Sequence, residues 1–127
     1  MDAIRAFIAI ELPGEIQVKL GELISQLQER APRAVRWVPA HNIHLTLKFL
    51  GNVSPTHLNH LIQVIRSEAQ RHRMVQFCVG GLGAFPQSTR PRVVWVGITA
   101  PPDLVELQHC VDRETARLGY PGEERGF

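Results

Sequence analysis

Lysine is nearly missing from this chain: of 14 basic residues only Lys19 and Lys48 are lysines, and the rest are Arg. The net charge is only +2. That is too little for a protein that wraps a long nucleic-acid backbone, where a strong basic excess is needed. It leaves room for a site that grips one or two phosphates, for which the forked guanidinium is suited. Cysteine is also scarce. Cys78 and Cys110 stand far apart and in no metal-ligand spacing, which argues against a disulfide framework or a cysteine-built metal site. Cys78 lies in the apolar run FCV and Cys110 in a helical pattern, so both are expected as reduced core residues. No apolar run is long enough to span a bilayer. The amino-terminal MDAIRAFIAIELPGE has a short apolar stretch between Asp2 and Glu11, unlike a secretory signal. The expected location is therefore cytoplasmic.

What is present is an ordinary globular balance: 127 residues, 44% apolar and 20% charged, enough for one domain with a modest core. Ala6 to Leu12 reads as a buried strand stopped by Pro13-Gly14. Ile16, Leu20, Leu23 and Leu27 then recur at helical spacing until Pro32. Val35 to Val38 suggests a short strand, and Ile43 to Leu50 a longer one closed by Gly51 and Asn52. Ser54-Pro55 predicts a capped helix with the stripe Leu58, Leu61, Ile62, Ile65 and Ala69. Val75 to Phe85 reads as a strand bent at its glycines. Val93 to Ile98 is apolar on both faces, as in a central strand. Pro102-Asp103 opens a third helix with Leu104, Leu107, Val111 and Leu118 inward and Gly119 as its stop. This order suggests two copies of one unit, the second lacking its last strand.

The stretch NIHLTLKFLG carries the chemistry. Side chains alternate along a strand, so Ile43, Leu45, Leu47 and Phe49 form an apolar row and His44, Thr46 and Lys48 face the other way. An imidazole, a hydroxyl and an ammonium spaced about 6.5 to 7 Å apart can surround an anion. Imidazole moves protons near neutral pH. The same pattern also describes the plain solvated face of an antiparallel strand.

The run HLTLKFLG, with RWVPAHNI before it, the strand RAFIAIELP, and GGLGAFPQSTRPRVVWVGI and a glycine-terminated helix after it, resembles the 2H (two-histidine) phosphoesterase superfamily. Within it, the chain is most similar to the RNA 2′,3′-cyclic phosphodiesterases, long called bacterial 2′-5′ RNA ligases. The resemblance implies an α+β fold of two pseudo-symmetric lobes of antiparallel sheet with helices packed outside. Each lobe brings one His-x-Thr strand to a shared cleft. His44 and Thr46 match the first motif. By this resemblance His44 is an acid–base histidine, favoured here as the general acid, Thr46 a hydrogen-bond donor to phosphate and Arg92 a candidate substrate ligand. Lys48 is a candidate substrate ligand from its place on the polar face of the strand. No cofactor or metal is implied. The expected partners are RNA ends or nucleoside cyclic phosphates, met by a monomer.

No other His-x-Thr occurs: His41, His57, His60, His72 and His109 all lack a threonine two residues on. The expectation is that residues 1–127 are a single domain of this type truncated at its carboxy terminus, with the second lobe incomplete and the second motif beyond Phe127. If the natural chain ended there, the alternative would be a non-catalytic RNA-end or nucleotide-binding module. A 2H enzyme for another small cyclic phosphate is the nearer rival. His41 and His44 would point to opposite faces of a strand, and His57 and His60 fall on a solvated helix side. Neither pair has carboxylate or cysteine company suggesting a metal. His72 is placed at a helix end, where a cation suits the dipole, and His109 on the surface. Trp37 and Trp95 are weighed as base-stacking platforms against core packing. GGLG leads into no helix and so is no phosphate loop.

Overall fold

A computed structural model describes residues 3–30, 37–85 and 93–122. Its elements, in order, are strand β1 (Ile4–Glu11), helix α1 (Gly14–Arg30), a single 3₁₀ turn (Ala40–Asn42), strand β2 (His44–Val53), helix α2 (Pro55–Ala69), strands β3 (Cys78–Phe85) and β4 (Val93–Thr99), and helix α3 (Pro102–Ala116). The α+β class holds, with two separate antiparallel sheets and three helices. Trp37 and Val38 lie outside any strand; Val35 is not among the described residues.

The chain divides into two compact units. One comprises Met1–Ile10, Thr46–Gln76 and Ala100–Phe127. Here β1 pairs with β2, and Ile8, Leu47, Val53, Leu61, Leu104 and Val111 form the buried apolar core. Helix α2 starts where the sequence places it. Ser54 Oγ accepts from the Thr56 amide at 3.3 Å, and Pro55 fills the first turn, where its missing amide hydrogen costs nothing. The buried face of α3 reads Leu104, Gln108, Val111 and Thr115, at 4-3-4 spacing. Two of these are polar and internally satisfied. Gln108 Nε2 donates to the Leu47 carbonyl at 3.2 Å, and Thr115 Oγ1 donates to the Val111 carbonyl at 2.8 Å. Gly119, at φ +100°, ends this helix. Its amide bonds the Ala116 carbonyl and the Tyr120 amide reaches back to Thr115, the pair of bonds of a Schellman stop.

The other unit comprises Glu11–Leu45 and Phe77–Thr99. Its helix α1 opens on the Pro13 carbonyl, which accepts from the Ile16 and Gln17 amides. Leu20 is its buried residue. Strand β3 pairs antiparallel with β4, and the register slips between Val79/Ile98 and Leu82/Val96. One extra residue on β3 makes a bulge there, and Gly81 at φ +78° supplies the left-handed backbone. Among the described residues β4 has β3 as its only strand partner, so the central position expected of it is not observed there.

Two further expectations are corrected. Strand β2 does not close at Gly51 but runs through it, at φ +74°, to the fully buried Val53. Cys78, expected in the core, is exposed, because it opens β3 at the end of the ladder, while Cys110 is partly buried; both are free thiols.

Candidate functional site

Strand β2 positions the chemistry. The turn Ala40–Asn42 leads into it, held by the Ile43 amide donating to the Ala40 carbonyl at 3.1 Å, and His44 is its first residue. His44 and Thr46 are both half-buried. The alternation of an extended chain puts them on the same side of the strand, about 7 Å apart along it. Side chains held partly out of water keep a fixed direction while remaining reachable, as an acid–base group and a hydroxyl donor require.

Lys48 does not join them. Its side chain is 1% exposed, and its ammonium is spoken for. Nζ lies 2.8 Å from Asp112 Oδ1 and donates to the Tyr120 carbonyl at 2.8 Å and to the Asp112 carbonyl at 3.2 Å. All three acceptors come from the end of α3 and the turn after it, where orphan carbonyls and the negative pole of the helix favour a cation. Three hydrogen-bond acceptors and one counter-charge compensate the lost hydration. Phe49, placed in the apolar row by alternation, is 68% exposed and lies at 6.2 Å between centroids from the Phe7 ring. At this point β2 is buried on both faces, at Leu47 and at Lys48, and Phe49 lies outside. In the structure Lys48 thus ties β2 to α3.

Arg92 lies outside the described residues. His41 sits exposed in the 3₁₀ turn, and His57, His60 and His109 are exposed as expected. Trp37 is half-buried, with its Nε1 inside and no hydrogen-bond partner, which fits packing better than an open stacking platform.

The sequence reading missed a second group. Glu68, on the inner stripe of α2, is buried and meets His72 at 3.1 Å. Cys110 of α3 closes a trio whose donor atoms all lie within 4.8 Å of one another. The hydrogen bond from His72 holds the Glu68 carboxyl below its ordinary range; burial opposes this, and Cys110 and Arg71 add to the lowering. Burial pushes the Cys110 thiol up, and the neighbouring Glu68 carboxylate adds to that. The i, i+4 spacing of Glu68 and His72 was visible in the sequence, but nothing there brings Cys110 to them.

The α+β fold and the His44-x-Thr46 strand agree with the resemblance to phosphoesterases drawn from the sequence. The comparisons give the family. The LigT-like phosphoesterase family matches residues 10–95, and this chain belongs to that family. It is 36% identical over 124 residues to an RNA 2′,3′-cyclic phosphodiesterase of Escherichia coli K12, covering 97% of this chain and 66% of that one. It is 30% identical over 120 residues to one from Methanothermobacter thermautotrophicus, covering 94% of this chain and 65% of the relative. Among solved structures it is similar to Escherichia coli LigT in its apo form, with a TM-score of 0.68, 33% identity and coverage of 100% and 69%. LigT complexed with 3′-AMP gives the same score, covering 99% of this chain and 69% of that one. The chain thus spans about 65% of the length of the first such relative. Among the described residues no helix is long and apolar enough to cross a membrane.

Proposed function

We propose that this protein hydrolyses 2′,3′-cyclic phosphates at RNA ends, leaving a 2′-phosphate and a free 3′ hydroxyl, with 2′-5′ ligation as the reverse direction. The observation that carries the proposal is the half-buried His44 and Thr46 on one side of β2, inside the segment that matches the family. In the forward step one histidine takes a proton from water as the water oxygen bonds to phosphorus. The other gives a proton to the 3′ oxygen as its bond to phosphorus breaks. We assign the second role to His44, which then regains its proton from solvent. Thr46 Oγ1 donates to a non-bridging oxygen as negative charge builds on it.

The partner histidine belongs to a second His-x-Thr strand that residues 1–127 do not contain. We therefore read these residues as part of a single two-histidine domain; they span about 65% of the length of the first relative. The 3′-AMP complex of LigT supports a nucleotide-sized ligand here too. We further propose a monomer that works in the cytoplasm without a catalytic metal.

The test is the product of the complete reading frame, assayed on a nucleoside 2′,3′-cyclic phosphate. His44→Ala should slow hydrolysis about a hundredfold or more, and Thr46→Val by about the same factor. Normal hydrolysis by the His44 variant would remove the assignment. Nucleotide binding with no turnover by the unaltered protein would favour the binding-module reading.

A further inference from the structure

The end of α2 and the middle of α3 bring three chemically different donors together away from β2. Glu68 and His72 stand one helical turn apart, with side chains 7% and 15% exposed and Nε2 at 3.1 Å from Oε1. Cys110 reaches them from α3, and no two of the three donor atoms are more than 4.8 Å apart. We propose that Glu68, His72 and Cys110 form a site for a divalent transition-metal ion, zinc by its donor set, that clasps α2 to α3.

Thiolate, imidazole and carboxylate together are the borderline-soft set that Zn²⁺ takes, and three protein ligands leave a fourth position for water. Bond lengths of about 2.0 to 2.3 Å place ligand atoms roughly 3.3 to 3.6 Å apart in a tetrahedral shell. The observed separations come within about 1.5 Å of that range, a gap that side-chain rotation covers without moving either helix. The carboxylate sits among Leu58, Leu61, Val64 and Ile65, with His72 and Arg71 as its present partners. A groove of about 250 Å³, lined by His60, Gln63, Ser67, Glu68 and Arg71 among others, opens beside the carboxylate and gives an ion a way in.

Two cations face the trio. Arg71 Nη1 lies 3.7 Å from Glu68 Oε2, and Arg113 Nη2 donates to Cys110 Sγ at 3.5 Å. Their side chains are 71% and 61% exposed, so both guanidinium groups can swing into water as the metal enters. Binding forms the S–metal bond and releases the thiol proton to solvent. The exposed Cys78 is not involved.

Cobalt(II) serves as the visible probe and Zn²⁺ as its competitor. The purified protein should bind one Co²⁺ with thiolate-to-metal charge-transfer absorption, lost when Zn²⁺ is added. Cys110→Ser should abolish that band, and His72→Gln should weaken binding at least about tenfold. Cys78→Ser should change nothing. The unaltered protein gives an answer that needs no variant to fold: Zn²⁺ should protect Cys110 from iodoacetamide, read by mass spectrometry, while Cys78 is alkylated throughout. A band that survives Cys110→Ser, no band at stoichiometric Co²⁺, or Cys110 alkylated equally with and without Zn²⁺ would each overturn the site.

Discussion

Replacing Asp112 with Ala tests the tie between β2 and α3 most directly. The change strands the Lys48 ammonium, 1% exposed, with two carbonyls and no counter-charge. Removing one member of a buried ion pair costs about 3 to 5 kcal/mol, and the lower end applies because Asp112 is itself 22% exposed. At about 2.1 cal/mol/K per residue, the unfolding entropy of 127 residues is about 0.27 kcal/mol/K, so 3 kcal/mol lowers Tm by about 11 °C. Lys48→Met should cost less, about 1 to 2 kcal/mol, because it buries no charge and the carboxylate left behind reaches water. Asp112 has other neighbours as well: a Cβ on Gly122 would lie 3.2 Å from Oδ2. The double variant separates these effects. It should melt close to Lys48→Met alone, giving a coupling of at least about 1 kcal/mol. Thermal melts followed by circular dichroism on all four proteins complete the cycle. A Tm for Asp112→Ala within about 2 °C of the parent, or strictly additive losses, would refute the reasoning. A Lys48→Met variant with unchanged Tm and lowered kcat/KM would return Lys48 to the substrate.

The helix ends give a smaller, independent check. Ser54→Ala should cost about 1 kcal/mol through the lost cap to the Thr56 amide, and Gly119→Ala about 1 kcal/mol or more, because φ +100° strains any residue with a Cβ; both are read from urea midpoints at unchanged m-value. Glu68, whose folded pKa lies below its ordinary value near 4.5, adds stability above that pH. That contribution should fade as pH falls through 4.5 towards the lower folded value, since the unfolded chain takes up the proton first. Glu68→Gln should therefore flatten the fall of Tm between pH 5 and about 3, and an unchanged slope would contradict the shift. Cyclic-phosphate hydrolysis by the complete gene product should survive EDTA, even where the chelator lowers Tm by stripping the Glu68 site. Activity lost to EDTA and restored by zinc would overturn the metal-free step.

The parts legible in advance were those set by neighbours a few residues away. Ser54-Pro55 starts α2 and Gly119 ends α3 because capping acts within one turn of chain. The glycines of β3 mark its bulge for the same reason: Gly81, at φ +78°, takes up the left-handed backbone at the extra residue. The expected pairing of His44 with Thr46 on one side of β2 rests on alternation alone. Alternation could not say which side of β2 becomes interior. Packing put both sides inside at Leu47 and Lys48: Asp112 and Tyr120, 64 and 72 residues further along, hold the Lys48 ammonium there while Phe49 is left out. Cys110, likewise, meets Glu68 and His72 only because α2 and α3 pack together. Burying a charge requires partners for its hydration shell, and those partners are assembled by packing; the order of residues fixed the local turns, and the fold alone chose which charges they enclose.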